Sequence, residues 1–318
     1  MYPRYLVTHS NDTLKERIQQ ARALLHSCAL CPRRCAIDRT QGKRGYCNTS
    51  DKAMVYSVMA HHGEEPPVSG TRGSGTIFFS HCTMRCLYCQ NHTFSQQESG
   101  REISNLELAT YMLTLQEQGC HNINLVTPTH YLAHILEALA LAIPKGLHIP
   151  LVYNTSGYEL PQTIELLNGI IDVYLPDMRY GREKEAIELS DAPGYPQYNQ
   201  AAVTCMHAQV GIPEFDSQGI IRSGLIIRHL VLPHDAAGTE TIMRFIAEQI
   251  STDTYISLMS QYTPYYQATA HPQLNRPISE QEYRHAQSIM ENCGLANGWI
   301  QEAGGLEHFA GIHIKKNV

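Results

Sequence analysis

The 318-residue chain has little excess charge, and its net charge of -6 is of the wrong sign for a general nucleic-acid binder, which normally carries a strong basic surplus. No apolar run approaches the roughly 18 residues that span a bilayer, and the first residues, Met1-Tyr2-Pro3-Arg4-Tyr5, lack the apolar core of a secretory signal. A cytoplasmic protein that contacts neither nucleic acid nor membrane is therefore expected. Internal repeats and low-complexity stretches are also lacking, which excludes solenoids and extended disordered arrays. What remains is a globular chain, 43% apolar and 17% charged, long enough to bury a substantial core.

Cysteine is the exception to this plainness. A chain of this length needs no covalent staples, and seven of its ten cysteines fall in two ligand-spaced sets, so a reducing compartment and metal chemistry fit better than disulfides. Cys120, Cys205 and Cys293 stand alone and read as small core residues. The first set, in chain order, is Cys28, Cys31, Cys35 and Cys47, a C-x2-C-x3-C-x11-C spacing with Gly42 and Gly45 available for tight turns. Four thiolates within twenty residues can enclose one metal centre, either an auxiliary 4Fe-4S cluster, which is favoured, or a zinc ion. Arg33, Arg34, Arg39, Lys43 and Arg44 either offset the negative charge of that centre or form a solvated face.

The second set is Cys82-Thr83-Met84-Arg85-Cys86-Leu87-Tyr88-Cys89, a C-x3-C-x2-C loop directly after the apolar run 76–79. Three thiolates can hold three irons of a cubane cluster, leaving the fourth iron open to a ligand, and an open position marks a catalytic metal site. A zinc site or three buried thiols explain the spacing less well, because zinc normally takes four closed ligands.

Beyond Gly75 the pattern alternates. Strands are expected at 76–79, 122–126, 149–154, 171–176, 225–232 and 255–259, with helices between them and a capping box at Ser104-Asn105-Leu106-Glu107. Leu106, Thr110, Leu113 and Leu115 are placed on that helix. Six such units imply an α/β fold, a partial (βα)6 barrel whose parallel sheet binds ligands at the carboxyl ends of its strands. Residues 1–74 form an N-terminal helix with the four-cysteine segment, 75–262 the barrel, and 263–318 a C-terminal extension in which Ser279 opens a helix and Trp299-Ile300-Gln301 offers a further strand. The stretch 50–75, rich in His, Glu, Pro and Gly, reads as a connection, and His61, His62, Glu64 and Glu65 within it are not assigned as ligands. Tyr262, Tyr265 and Tyr266 are expected to cover the barrel edge rather than line a pocket.

The cysteine loop, with its aromatic Tyr88 before the last cysteine, resembles the signature of the radical S-adenosylmethionine superfamily. Residues 75 to about 262, together with the N-terminal cysteines and Cys89-Gln90-Asn91, look similar to the pyruvate formate-lyase-activating-enzyme-like branch. That resemblance implies a 4Fe-4S cluster on Cys82, Cys86 and Cys89 whose free iron chelates S-adenosylmethionine. Reductive cleavage then gives a 5'-deoxyadenosyl radical that abstracts hydrogen from a substrate, with flavodoxin or ferredoxin as electron donor. The substrate it implies is a glycyl-radical enzyme partner, with a peptide side chain or small molecule as the alternative. Asn154 and Ser156, from Asn154-Thr155-Ser156-Gly157-Tyr158, are similar to a turn near the adenosyl group. Asp177-Met178-Arg179 stands where the branch carries Asp-x-Lys, and Arg228 lies on a similar Arg-containing strand that ends in proline. Tyr88 is expected to pack near the adenine. After the second strand the branch places Gly-Gly-Glu, whereas this chain has Val126-Thr127-Pro128-Thr129-His130, so Thr127 takes that position without a carboxylate. From other classes, an iron-sulfur redox relay and a zinc-stabilised binding module remain as alternatives.

Overall fold

The computed structural model describes residues 2–300. Within them ten strands, β1 (Ala53–His61), β2 (Ser74–Phe79), β3 (Arg101–Ile103), β4 (Ile123–Val126), β5 (Leu151–Thr155), β6 (Val173–Pro176), β7 (Glu214–Phe215), β8 (Ile221–Leu230), β9 (Tyr255–Met259) and β10 (Gly298–Ile300), form one sheet. Its order is β10-β9-β8-β6-β5-β4-β2-β1-β3, with β7 paired to β8. From β2 to β10 the pairs are parallel, while β1 runs antiparallel to both β2 and β3, and β7 to β8. The fold is α/β with a mostly parallel sheet, and the expected strands after Gly75 all lie in it.

Alternation along the parallel strands separates two layers. Ile77, Phe79, Ile123, Leu125, Leu151, Tyr153, Ile227 and Leu258 face outward into one large core shared with the covering helices. That core also takes Leu14, Ala21 and Leu25 from the helix Thr13–His26 and Tyr283 and Met290 from the helix Glu280–Asn292. On the inner face, Val152, Val173, Leu175 and Ile226 pack around Val68. Because both faces are covered, the strands read as nearly continuous apolar runs.

Two expectations need correction. The stretch 50–75 is no mere connection, since it contributes all of β1, which pairs with β2 along most of its length. Its apolar run 53–60 is masked in a composition reading of 50–75 by the His-, Glu-, Pro- and Gly-rich residues that follow it. The helix Asn105–Glu117 starts at the expected capping box, with Ser104 and Glu107 closing it reciprocally, but Leu106 points outward at 51% exposure. Its buried stripe is Leu108, Ala109, Met112 and Leu115. The helix Glu280–Asn292 carries a second capping box through Ser279 and Glu282, and β10 supplies the further strand at 298–300, Gln301 lying outside the described residues. Among the described residues no helix is long and apolar enough to cross a membrane.

Candidate active site

One cleft opens at the carboxyl ends of the parallel strands, with about 1230 Å³ of space when the open water at its mouth is counted. β2, β4, β5, β6, β8 and β9 each contribute residues at, near or just past their carboxyl ends. β2 delivers the loop with Cys82, Cys86 and Cys89. β4 delivers Val126 and Thr127, β5 Asn154 to Ser156, β6 Asp177 and Arg179, and β8 Arg228 and Leu230. Tyr88 lines the cleft as well, its hydroxyl 2.7 Å from that of Tyr180 and its ring edge-on to Tyr262. All ten residues assigned to the cluster and cofactor from the sequence therefore meet in one space.

The polar wall is a closed charge network. Arg228 Nε donates to Asp177 Oδ1 at 2.8 Å and Nη2 to Asn154 Oδ1 at 2.7 Å, while Arg179 Nη2 donates to the other Asp177 oxygen. Burial disfavours the Arg228 cation, yet Asp177 and the neighbouring glutamates hold its pKa above the ordinary range, so it stays charged. Arg179 Nε is buried without a hydrogen-bond partner. Thr127 adopts φ 57°, a left-handed conformation that a β-branched residue takes only under constraint, and its N–H donates to Asn154 O at 2.9 Å. Gly157 turns the chain after Ser156 at φ +74°, and a Cβ there would lie 2.3 Å from Asp177 O. Only glycine fits that corner.

Burial pushes the thiol of Cys82 up to about 12 and that of Cys89 up to about 11. Two such thiols on one cleft wall are costly as bare thiolates, and a cluster's positive irons reverse that cost. With an open cleft, an unpartnered guanidinium nitrogen and three free cysteines, the residues fit an iron-sulfur cluster with S-adenosylmethionine beside it. Among the described residues, no three His, Cys, Asp or Glu side chains close to the spacing of a single metal ion. A cubane spreads its ligands over four irons.

The N-terminal cysteines lie outside this cleft. Cys28, Cys31 and Cys47 are buried and Cys35 is half-buried. Cys28 N–H donates to Ile37 O and Ala36 N–H to Cys28 O, and Tyr46 N–H points at Cys35 Sγ at 3.4 Å. Gly45 permits that approach, since a Cβ there would sit 2.9 Å from the same sulfur. The nearby basic residues divide. Arg39 is buried and donates to Ser50 O and His130 O, whereas Lys43 and Arg44 are exposed.

The two cysteine segments grip each other. Arg33, between Cys31 and Cys35, donates from Nε to Thr83 O at 3.1 Å; Arg85, between Cys82 and Cys86, donates to Tyr46 O at 2.6 Å and to Cys82 O at 2.9 Å. The Tyr46 ring lies against both guanidiniums, 3.5 Å from Arg33 and 4.7 Å from Arg85.

Sequence reasoning missed Gly63 and Glu64, which line the cleft, and set Tyr262 at the barrel edge although it lines the cleft too. The available signal was the carboxylate pair Glu64-Glu65 directly before Pro66-Pro67, a start signal for the short helix Pro66–Ser69 that carries it inward. Tyr265 and Tyr266 are not in the lining, and Tyr266 stacks on His92 at 4.6 Å.

A parallel α/β sheet with three cysteines and a charged polar wall at its strand ends defines a metallocluster enzyme. The family model of the Radical SAM superfamily matches residues 76–184. An uncharacterized protein of Methanocaldococcus jannaschii is 30% identical over 295 residues, spanning 89% of this chain and 80% of that protein. The chain belongs to the radical SAM superfamily and is a radical SAM enzyme, and the family implies a 4Fe-4S cluster and S-adenosylmethionine. Among solved structures, TYW1 with a lysine-pyruvate adduct bound is similar at a TM-score of 0.46 and 8% identity, covering 68% of this chain and 73% of that one. HydG, a maturase of the FeFe-hydrogenase, is similar at a TM-score of 0.47 and 10% identity, covering 70% of this chain and 50% of that one.

Proposed function

We propose that Cys82, Cys86 and Cys89 hold the catalytic 4Fe-4S cluster and that Asn154, Ser156, Asp177, Arg179 and Arg228 hold S-adenosylmethionine, with Tyr88 and Thr127 shaping its berth. The observation that carries this reading is the convergence of the three cysteines and the Asp177–Arg228–Asn154 network on one cleft. When bound, the cluster supplies an electron and S-adenosylmethionine supplies the radical that takes a hydrogen atom from the substrate. The chain's residues do the rest. Arg228 fixes the Asn154 amide, Asp177 holds both guanidiniums, and Tyr88 with Tyr262 keeps one wall apolar and dry.

An activating-enzyme-like oxidoreductase acting on a glycyl-radical partner, with a flavodoxin- or ferredoxin-type reductant, is the reading the sequence resemblance supports. A second reading, a small molecule or single side chain as substrate, has one observation in its favour. The segment after β9 folds over the cysteine loop: Gln267 and Ala268 N–H donate to Leu87 O, and Gln261, Tyr262 and Thr263 line the cleft. We further propose that Cys28, Cys31, Cys35 and Cys47 hold a second centre, a 4Fe-4S cluster rather than zinc, on a metal-binding segment at 1–74 beside a barrel at 75–262.

The test is anaerobic reconstitution with iron and sulfide, then S-adenosylmethionine and a strong reductant, with 5'-deoxyadenosine quantified against Cys86→Ala. Formation by the wild type alone supports the reading. Absence in both, with no spectral response of an intact cluster to S-adenosylmethionine, overturns it in favour of a redox relay.

A further inference from the structure

Glu64 reaches the cleft from an unexpected direction. It precedes the helix Pro66–Ser69, whose Val68 packs on Val152, Val173 and Ile226 inside the sheet, so its carboxylate rises from the floor of the cleft instead of hanging from a strand end. Oε1 accepts from Asn124 Nδ2 at 2.9 Å and Asn154 Nδ2 at 3.3 Å. Oε2 meets Arg228 Nη1 at 3.5 Å. That is too long for a good hydrogen bond and leaves this oxygen room for a further donor.

Among the described residues two carboxylates line the cleft, Glu64 and Asp177. Asp177 is occupied, each oxygen taken by a guanidinium. Charge points the same way. Among the carboxylate and guanidinium side chains of this wall, Arg179 and Arg228 are balanced by Asp177 and Glu64, so without the Glu64 charge the wall itself would carry an excess guanidinium beside a ligand bearing a sulfonium and an amino group. The end of β4 cannot supply the missing charge, because Thr127-Pro128-Thr129 brings hydroxyls, and that of Thr129 is turned to Glu159 at 2.6 Å.

We propose that Glu64 is the carboxylate that receives the α-amino group of S-adenosylmethionine, supplied from the connector before the parallel sheet instead of from the end of its second strand. This assignment rests on the cofactor berth proposed above. It makes Glu64 a binding residue, where its known contacts alone would make it a brace for Asn154 and Arg228.

Equilibrium dialysis of the anaerobically reconstituted full chain, without reductant, separates these roles. The probes are S-adenosylmethionine and its analogue with hydrogen in place of the α-amino group. Glu64→Gln is expected to weaken S-adenosylmethionine about tenfold while leaving the analogue unchanged, as befits one lost charge-assisted hydrogen bond. Glu64→Asp should restore part of the preference, and Glu65→Gln should leave it intact. Equal weakening of both compounds would make Glu64 a brace and overturn the proposal, as would no weakening of either. If Glu64→Gln does not fold, the same ratio in Glu64→Asp decides, because a shortened carboxylate lowers it only when the amino group is in contact. Failure of the wild type to bind either compound, with its cluster intact, overturns the cofactor berth itself and Glu64 with it.

Discussion

The two cysteine sets differ less in residue type than in what surrounds the sulfur. Cys82, Cys86 and Cys89 face a cleft they share with Asn154, Asp177, Arg179 and Arg228, so a group held there has an open side. Cys28, Cys31 and Cys47 are buried outside the cleft lining, and a centre held there would be enclosed. Openness, not ligand count, separates a site that reacts from one that holds. Yet the sets are mechanically joined, because Arg33 of the enclosed set binds the loop of the open one and Arg85 returns the contact.

The contrast breaks most sharply if both sets react alike to losing a sulfur. Cys86→Ala should abolish 5'-deoxyadenosine formation, a loss of at least about a thousandfold if the cluster supplies the chemistry. Cys31→Ser should instead remove about half the iron of the reconstituted chain and leave the spectral response to S-adenosylmethionine in place, given a cubane at each set. Iron unchanged with zinc lost would assign zinc to the N-terminal set. Next in size is Arg228→Met, which leaves one Asp177 oxygen and Glu64 Oε2 without their guanidinium partner in the cleft. Breaking a buried pair from one side costs about 3–5 kcal/mol, so a large fall in the urea midpoint is expected together with weakened S-adenosylmethionine binding.

Much of this contrast was legible in the residues. The strand-to-loop order after Gly75 is written in apolar runs and turn signals, and the family resemblance, read along those strands, pointed to Asn154, Asp177 and Arg228 as partners of the cysteine loop. β1 was missed because its apolar run 53–60 was averaged with the Gly-, Pro-, His- and Glu-rich residues that follow it. Glu64 was missed for a different reason. A side chain that enters a barrel from its floor has no strand end to announce it, and its partners Asn124, Asn154 and Arg228 lie 60 or more positions away in the chain. The grip between Arg33, Tyr46 and Arg85 is likewise a tertiary fact. The charge of those arginines was visible, but not that Arg33 and Arg85 reach each other's segment while Lys43 and Arg44 stay in solvent.

His130 tests the joint by pH. Its Nε2–H donates to Ser80 O at 2.9 Å, just before the cysteine loop, and its carbonyl accepts from the buried Arg39 of the N-terminal segment. Burial lowers its pKa from 6.5 to about 3, with the Ser80 carbonyl opposing that shift and Arg39 reinforcing it. The unfolded chain therefore binds the proton first, and this group's contribution to stability falls as pH drops below 6.5 and levels off near 3. Between pH 6.5 and 5 the loss should be about 1.6 kcal/mol, the slope rising from about half of 1.4 kcal/mol per pH unit toward its full value. His130→Gln should flatten that part of the stability profile in urea titrations at fixed pH. An unchanged slope would mean the ring is already charged in the fold.

The smallest expected effect reads the joint most directly. Arg33 and Arg85 lie against one ring, so each contributes cation–π attraction of about 0.5–1 kcal/mol as well as its hydrogen bonds across the segments. Lysine keeps the charge and loses the planar donor set. Arg33→Lys and Arg85→Lys should each lower stability by about 1 kcal/mol, and the double variant should lose less than the sum, by about 0.5 kcal/mol or more, because the remaining arginine's contact depends on a Tyr46 that its partner positions. Strict additivity would mean that the two contacts are independent and that the cysteine segments touch without supporting each other. Coupling would also predict that Cys31→Ser keeps the spectral response to S-adenosylmethionine but broadens it, since loosening Tyr46 frees the Arg85 side chain that holds Cys82 O.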